Sequence, residues 1–469
     1  MNIQDIKTQK KIHFIGLGGI GMSALAFILR EWNIAVQGSD LKENYLTEKL
    51  RKSGALYFVG HNANNITDDV TLVVQTSIIK IDNPEIIRAQ EKNIPIITRA
   101  ELLDIIMQNY IGVTIAGTHG KTSTTGMVSL MLEIGGLDPT IINGGIINYF
   151  GCNSKVGKGD FLVAESDESD GSFVNLPTAI GAITNIEPEH LEAKVYNGNF
   201  EKQKAYFEQY ITQIPDDGLC VVCIDNPILE GFYNKYKNDY NITSYSIKKN
   251  ADIMTRNFKM DINGITFDVL FGNNDEIKNI FMPVYGEHNA SNALVAIAIA
   301  VFLNISDEKI KEALSKFNGV KRRFTKVGEF NGASIIDDYG HHPTEIATTL
   351  KAARNLVQDK KLICVFQPHK YSRVKDLFKE FCEAFFDADM VIVSDIYSAS
   401  QAPIEGINQD SVINGIKSAG HKNVIKLNNE NELSSLIRPL INQGDIVFFT
   451  GAGTITSWAH SLQEQLQKI

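Results

Sequence analysis

Short runs of apolar residues alternate along this chain with longer stretches whose apolar positions recur every three or four residues. Short continuous runs are what strands buried on both faces require, and the three-to-four spacing is that of helices packed on a sheet. In the opening segment strands are predicted at residues 11–15, 34–38, 56–59, 71–74 and 94–97, with helices at 22–32 and 84–89. A second series has strands at 112–116, 161–164, 179–183 and 219–224. Its first helix carries Met127, Val128, Met131 and Leu132 and is stopped by Gly135-Gly136, a C-terminal cap pair. Residues 250–286 read as smaller antiparallel strands, followed by an Ala-rich helix after His288 and a helix capped by Ser306. A third series has strands at 333–336, 362–366, 390–393, 423–425 and 445–449, with helices beginning after Pro343, Tyr371, Asn429 and Thr454. Strands alternating with helices imply parallel sheets with crossover connections. The expected fold class is therefore α/β, in three consecutive domains covering residues 1–107, 108–320 and 321–469.

Length agrees with that division, since 469 residues are about three times the roughly 150 typical of one domain. The 45 Lys and Arg against 55 Asp and Glu leave a net charge of -10, which excludes nucleic acid as an expected partner. The longest apolar run, residues 293–303, is shorter than the roughly 20 residues a membrane helix needs. The N-terminus has no apolar signal region, so a cytoplasmic protein without membrane association is expected. Five cysteines fit a reducing compartment. Cys220 and Cys223 form a CxxC, but on a strand positions i and i+3 face opposite sides, so they read as structural.

Chemistry enters with two glycine-rich loops, each between a predicted strand and a predicted helix. Gly16-Leu17-Gly18-Gly19-Ile20-Gly21 is followed by Asp40 at the end of the next strand. The first glycine permits the tight turn, the second admits a diphosphate to the backbone, and the third lets helix and strand pack closely. The helix start offers free amides to phosphate. The loop alone fits NAD or a sugar nucleotide and by itself favours NAD, the mark of an oxidoreductase. The second loop, Gly117-Thr118-His119-Gly120-Lys121-Thr122 with Ser123 after it, changes that picture. Its amides cradle phosphates, Lys121 neutralises β/γ charge and the Thr122 hydroxyl reaches Mg²⁺. It is shorter than the full Walker spacing, since Ala116 and Ile115 stand where that spacing asks for its first glycine. A dehydrogenase has no use for it, so ATP chemistry is expected, with a middle domain of P-loop type between two Rossmann-like ones.

Further polar clusters follow the predicted strands. Glu165-Ser166-Asp167-Glu168-Ser169-Asp170 stands where magnesium would find carboxylates, and Asn185-Ile186-Glu187-Pro188-Glu189-His190 brings a histidine to the same sheet edge. Lys321-Arg322-Arg323 lies at the second domain boundary, as a basic linker or as a source of arginine for a transferring phosphate. Asp337-Asp338-Tyr339-Gly340-His341-His342-Pro343 and Gln367-Pro368-His369-Lys370-Tyr371-Ser372-Arg373 both follow strands of the third series, where a second substrate would bind.

In this order the motifs resemble the Mur ligases of bacterial cell-wall synthesis, over nearly the whole chain from Gly16 to Gly453. Among them they look most like the members that join L-alanine to UDP-N-acetylmuramate. The resemblance implies that Gly16, Gly18, Gly19, Ile20, Gly21 and Asp40 bind the UDP-sugar rather than NAD. It implies that Gly117 to Ser123 bind ATP, with Lys121 on the phosphates and Thr122, Glu165 and His190 as Mg²⁺ ligands. His288, Asn289 and Asn292 match the family's element near the adenine, Arg322 or Arg323 its phosphate-contacting arginine, and Asp337 an ATP contact. Lys121, Glu165, His190 and Arg323 are the implied catalytic set, and Tyr339, His341 and Arg373 face the substrate cleft. The implied chemistry is attack of the lactyl carboxylate on the γ-phosphate, giving an acyl phosphate that the alanine amine then displaces. A tripeptide-recycling ligase of the same family is the nearest alternative; its relatives tend to carry Phe-Ala where this chain has Tyr339-Gly340. The chain departs from the family at Ser400-Gln401, where relatives tend to have Gly-Glu. Lys202 and Lys204 stand near the carbamylated lysine of other members, and neither is assigned that role.

Overall fold

The computed structural model describes residues 1–76, 79–191, 195–399 and 401–468. Five parallel strands open the chain: β1 (Lys11–Ile15), β2 (Ala35–Asp40), β3 (Leu56–Val59), β4 (Leu72–Gln75) and β5 (Ile96–Thr98). Their order, β3-β2-β1-β4-β5, reverses direction between β1 and β4 and so creates a crevice at the carboxyl ends of those two strands. The predicted strands and the Ile20–Glu31 helix stand at or within two residues of the pattern reading. Helices Tyr45–Lys52 and Arg99–Met107 were not legible from period. Reciprocal capping sets their starts, by Asn44 with Thr47 and by Thr98 with Glu101.

The second sheet has ten strands: β6 (Ile111–Ala116), β7 (Thr140–Ile147), β8 (Cys152–Lys155), β9 (Phe161–Glu165), β10 (Ile180–Ile183), β11 (Leu219–Cys223), β12 (Ile242–Ser246), β13 (Ile253–Asp261), β14 (Gly264–Phe271) and β15 (Glu276–Met282). They run in the order β15-β14-β13-β12-β11-β10-β6-β9-β7-β8. The antiparallel β7–β8 pair escaped the pattern reading because glycines and asparagines interrupt its apolar run. Cys220 and Cys223 are both buried in β11, as structural residues would be. Leu25 and Ile28 of the Ile20–Glu31 helix share one buried cluster with Ile142, Leu162, Ala164 and Leu176, so the first two sheets have a common core. Ser306 does precede the Asp307–Lys316 helix, but its side chain accepts no capping hydrogen bond there.

The third sheet contains β16 (Thr325–Phe330), β17 (Ala333–Asp338), β18 (Leu362–Phe366), β19 (Met390–Val393), β20 (Val424–Lys426) and β21 (Ile446–Thr450), in the order β16-β17-β21-β18-β19-β20. All its pairings are parallel except β16 on β17, an edge strand too exposed to carry an apolar signature. Strand periodicity is plain in β18. Leu362, Cys364 and Phe366 enter a core with Ile346 and Leu350, whereas Ile363 and Val365 enter another with Leu462.

The chain makes two compact units: residues 1–256, 268–280 and 291–317, and residues 257–267, 281–290 and 318–469. Among the described residues no helix is long and apolar enough to cross a membrane.

Candidate active site

In the first unit β6 runs into the phosphate loop and then into the Lys121–Gly135 helix. Gly117 (φ 123°) and Gly120 (φ 83°) occupy the left-handed region, which glycine enters without strain. The loop is bolted to the segment after β10. Thr118 N–H donates to Asn185 O (3.0 Å) and His119 N–H to Asn185 Oδ1 (2.8 Å). Asn185 Nδ2 and Thr184 Oγ1 donate in return to His119 O, at 3.0 and 2.6 Å.

Lys121 folds back over its own loop. Its ammonium donates to Gly117 O, to Thr118 O (3.1 Å) and to Glu168 Oε2 (2.6 Å), and Glu168 is almost fully buried. Burial works against the Lys121 charge, but the carboxylates of Glu168, Asp167 and Glu165 outweigh it and hold the ammonium above its ordinary pKa. Burial pushes the Glu168 carboxyl up to about 7, against the pull of Lys121. Beside this pair the Thr122 hydroxyl donates to the Glu165 carboxylate, 3.0 Å from either oxygen, and Gly144 N–H donates to Glu165 Oε2 (2.9 Å). Oxygen donors of this kind suit a hard divalent cation such as Mg²⁺. His190 (φ 57°) lies on the loop after β10, its Nε2 3.8 Å from Glu189 Oε1. A side chain on Gly120 would begin 2.9 Å from Asn292 Oδ1, so Asn292 of the Glu287–Phe302 helix stands at the phosphate loop.

The other glycine loop differs in detail from its sequence reading. A Cβ on Gly18 would meet Asn44 Nδ2 at 2.7 Å and Asp40 Oδ2 at 2.8 Å, so this glycine makes room for protein groups. Asp40 has both oxygens engaged, Oδ2 by Gly18 N–H (2.8 Å) and Oδ1 by Leu41 N–H (2.7 Å). The expected tight packing of helix on strand at Gly21 gives way to an arginine, since a Cβ there would stand 3.0 Å from Arg99 Cδ.

In the second unit, loops after β17, β18 and β21 converge at one sheet edge, because β21 lies between the other two and runs parallel to both. Arg322 and Arg323 lie over the Tyr339 ring at 4.6 and 5.2 Å. Buried Asp338 accepts Phe324 N–H (2.9 Å) and Gly340 N–H (2.8 Å), tying the arginine segment to the tyrosine loop; burial raises its carboxyl to about 6. Asp337 is buried, accepts from Thr456 Oγ1 (3.2 Å) at Oδ1, and has no hydrogen-bond partner at Oδ2 among the described residues. The rings of His341 and His369 meet at 5.7 Å, His369 stacks on Tyr397 at 5.6 Å, and Arg373 Nη1 lies 3.1 Å from His369 Nδ1. Burial first, then His341, Arg373, Lys370 and Arg322, push the His369 ring down to about 3. Asn289 Nδ2 donates to Tyr285 O (2.8 Å), and burial with Arg323 lowers His288 to about 4.

Several functional neighbours were not singled out from sequence: Glu168 as the Lys121 partner, Asn185 as the loop bolt, Gly144 at Glu165, and His369 with Tyr397. Asn185 and Glu168 sat in motifs already marked, whereas Gly144 was invisible once β7 was missed. Lys204 pairs with Glu201 (2.7 Å) on a helix surface. Residues 192–194, and Ser400 of the Ser400-Gln401 pair, lie outside the described residues.

The chain matches the Mur ligase family, catalytic domain, over residues 11–111, the Mur ligase middle domain over 115–300, and the Mur ligase glutamate ligase domain over 322–453. It is 46% identical to a UDP-N-acetylmuramate--L-alanine ligase of Bradyrhizobium diazoefficiens, over 98% of each chain. The crystal structure of a UDP-N-acetylmuramate-alanine ligase from Thermotoga maritima superposes with a TM-score of 0.84 at 29% identity, covering 98% of this chain and 99% of that one. A murein peptide ligase from Psychrobacter arcticus shares the fold, with a TM-score of 0.72 at 23% identity over 98% of this chain and 99% of that one.

Proposed function

This chain belongs to the Mur ligase family, and we propose that within it the chain joins L-alanine to the lactyl carboxylate of UDP-N-acetylmuramate at the expense of ATP, in peptidoglycan precursor synthesis. The observation that carries this reading is the identity of 46% to an alanine-adding ligase across 98% of both chains. The tripeptide-recycling alternative rests on likenesses such as that to the Psychrobacter arcticus structure, at 23% identity, which speak to fold alone. The NAD-dependent oxidoreductase first favoured by the opening loop is set aside, since the phosphate loop and its carboxylates lie within the part that matches the Mur ligase middle domain.

The division of labour follows the three segments 1–107, 108–320 and 321–469: sugar nucleotide, ATP and amino acid. Lys121 binds the β- and γ-phosphates, for which its ammonium must exchange Glu168 for phosphate oxygen. Thr122 and Glu165, with His190, hold Mg²⁺, which when bound neutralises charge on the phosphates. His288, Asn289 and Asn292 serve the adenine side, and Asp337 is an ATP contact. Arg323, with Arg322 beside it, stabilises the transferring phosphoryl group. A carboxylate oxygen attacks the γ-phosphorus and ADP leaves; the alanine nitrogen then attacks the acyl carbon and phosphate leaves. Tyr339, His341 and Arg373 line the amino-acid side, where Arg373, beside the neutral ring of His369, offers a cation to the carboxylate. The working compartment is the cytoplasm, where all three substrates are small soluble molecules.

The test is phosphate release from ATP with UDP-N-acetylmuramate and either L-alanine, the recycling tripeptide or no amine. Alanine-dependent release, with the alanyl product seen by mass spectrometry, is expected. Release with tripeptide alone would overturn the assignment of the acceptor.

A further inference from the structure

The first glycine loop takes up its own amides. Gly16 and Leu17 N–H both donate to Ser39 O at 2.9 Å, Gly18 N–H to Asp40 Oδ2 (2.8 Å), and Gly19 N–H to Gly16 O (3.1 Å). The Ile20–Glu31 helix makes its first backbone bond from Ser23 N–H to Gly19 O (2.9 Å), and Gly19 at its start has no capping side chain. The amides of Ile20, Gly21 and Met22 precede that bond and have no partner within the helix. An anion drawn to this loop is therefore met beside Gly21, the third glycine of the motif, rather than at Gly16 or Gly18.

One cation stands at that place. Arg99 is the first residue of the Arg99–Met107 helix, directly after β5, at the carboxyl edge where the crevice opens. A side chain on Gly21 would begin 3.0 Å from Arg99 Cδ and 3.5 Å from its Nη1, so the glycine keeps a channel for this arginine. On its far side, Arg99 Nη2 is 3.7 Å from Asp167 Oδ2, longer than a hydrogen bond, and the side chain is 24% exposed. Asp167 precedes Glu168, the partner of Lys121, so one short turn holds a cation from each nucleotide site. The neighbouring Asn153 Nδ2 donates to Ile20 O (2.8 Å), fixing the helix start against β8.

We propose that Arg99 is a substrate-positioning residue for the sugar nucleotide: its guanidinium receives the diphosphate beside the amides of Ile20 to Met22, and Asp167 is its counter-ion while that site is empty. The inference rests on the sugar-nucleotide reading of the first loop. A guanidinium offers two parallel N–H donors to a phosphate, which a lysine ammonium does not.

The test is calorimetric binding of UDP-N-acetylmuramate, UDP and ATP to the full chain and to Arg99→Gln, Arg99→Lys and Asp167→Asn, with melting temperatures as a check on folding. Arg99→Gln is expected to weaken UDP-N-acetylmuramate and UDP by about tenfold or more while ATP binding is unchanged. Arg99→Lys should restore only part of that loss, and Asp167→Asn should leave UDP binding equal or tighter. Wild-type affinity for UDP in Arg99→Gln, or an equal loss of UDP and ATP, would overturn the assignment. If the unaltered protein binds neither UDP nor UDP-N-acetylmuramate, the sugar-nucleotide reading fails first and the role of Arg99 falls with it.

Discussion

Replacing Gly144 by alanine tests the proposed magnesium site at a residue that carries no chemistry of its own. A Cβ at position 144 would stand 2.8 Å from Glu165 Cδ, inside van der Waals contact, and its nearest approach is to the carboxylate itself. Gly144 has no left-handed φ, so the effect is steric and acts through Glu165. To accommodate the methyl group the carboxylate must swing away, losing the Gly144 amide and the Thr122 hydroxyl as donors. Hydrogen bonds to a charged acceptor contribute about 1.5–3 kcal/mol each. Glu165 is only partly buried, so the lower figure applies to each of the two, giving about 3 kcal/mol against the native placement. If Mg²⁺ and ATP bind to that placement, the apparent affinity for Mg²⁺-ATP should fall by about 100-fold. The assay is alanine-dependent phosphate release titrated with Mg²⁺ at fixed ATP, alongside a Gly231→Ala control. Gly231 sits in the Pro227–Tyr236 helix with open space at its Cβ, so alanine there should stabilise slightly and leave the Mg²⁺ titration unmoved. A Gly144→Ala protein that folds and shows the wild-type Mg²⁺ dependence would refute the placement of Glu165 as a metal ligand.

Two further outcomes follow from the same geometry. Asn185→Ala removes both side-chain bonds to the His119 peptide, so the KM for ATP should rise by about tenfold with the KM for alanine unchanged; steady-state kinetics would refute this by showing equal changes in both. His369 has its ring pKa lowered from 6.5 to about 3, so the folded state favours the neutral ring. Its contribution to stability is whole above pH 6.5 and is lost as pH falls toward 3. Melting temperatures of His369→Asn should therefore fall less than those of the wild type between pH 6.5 and 4. Asp338, raised to about 6, acts in the opposite sense but is common to both proteins and cancels in the comparison; parallel curves would refute the shift.

Much of this protein was legible before any coordinates. Strands such as 11–15, 362–366 and 390–393 are short, apolar and bounded by turn residues, so local pattern and burial agree. The two glycine loops were legible because tight strand-to-helix turns demand glycine at fixed offsets, and the Gly-Lys-Thr run carried its chemistry with it. The hairpin β7–β8 and the edge strand β16 were not legible, since their stability comes from neighbouring strands rather than from a periodic apolar face. For the same reason the partner of Lys121 was hidden. Glu168 is 47 residues away in sequence, and only the parallel pairing of β6 with β9 brings the two strand ends together. Residue types decided which groups could bind phosphate, magnesium or a carboxylate, because those capacities belong to the side chains themselves. Tertiary structure decided which of them are already engaged: Asp40 within its own loop, Lys121 on Glu168, and Arg99 at Gly21. Hydrogen bonds and ion pairs depend on distances of a few ångströms, and a linear order of residues does not contain those distances.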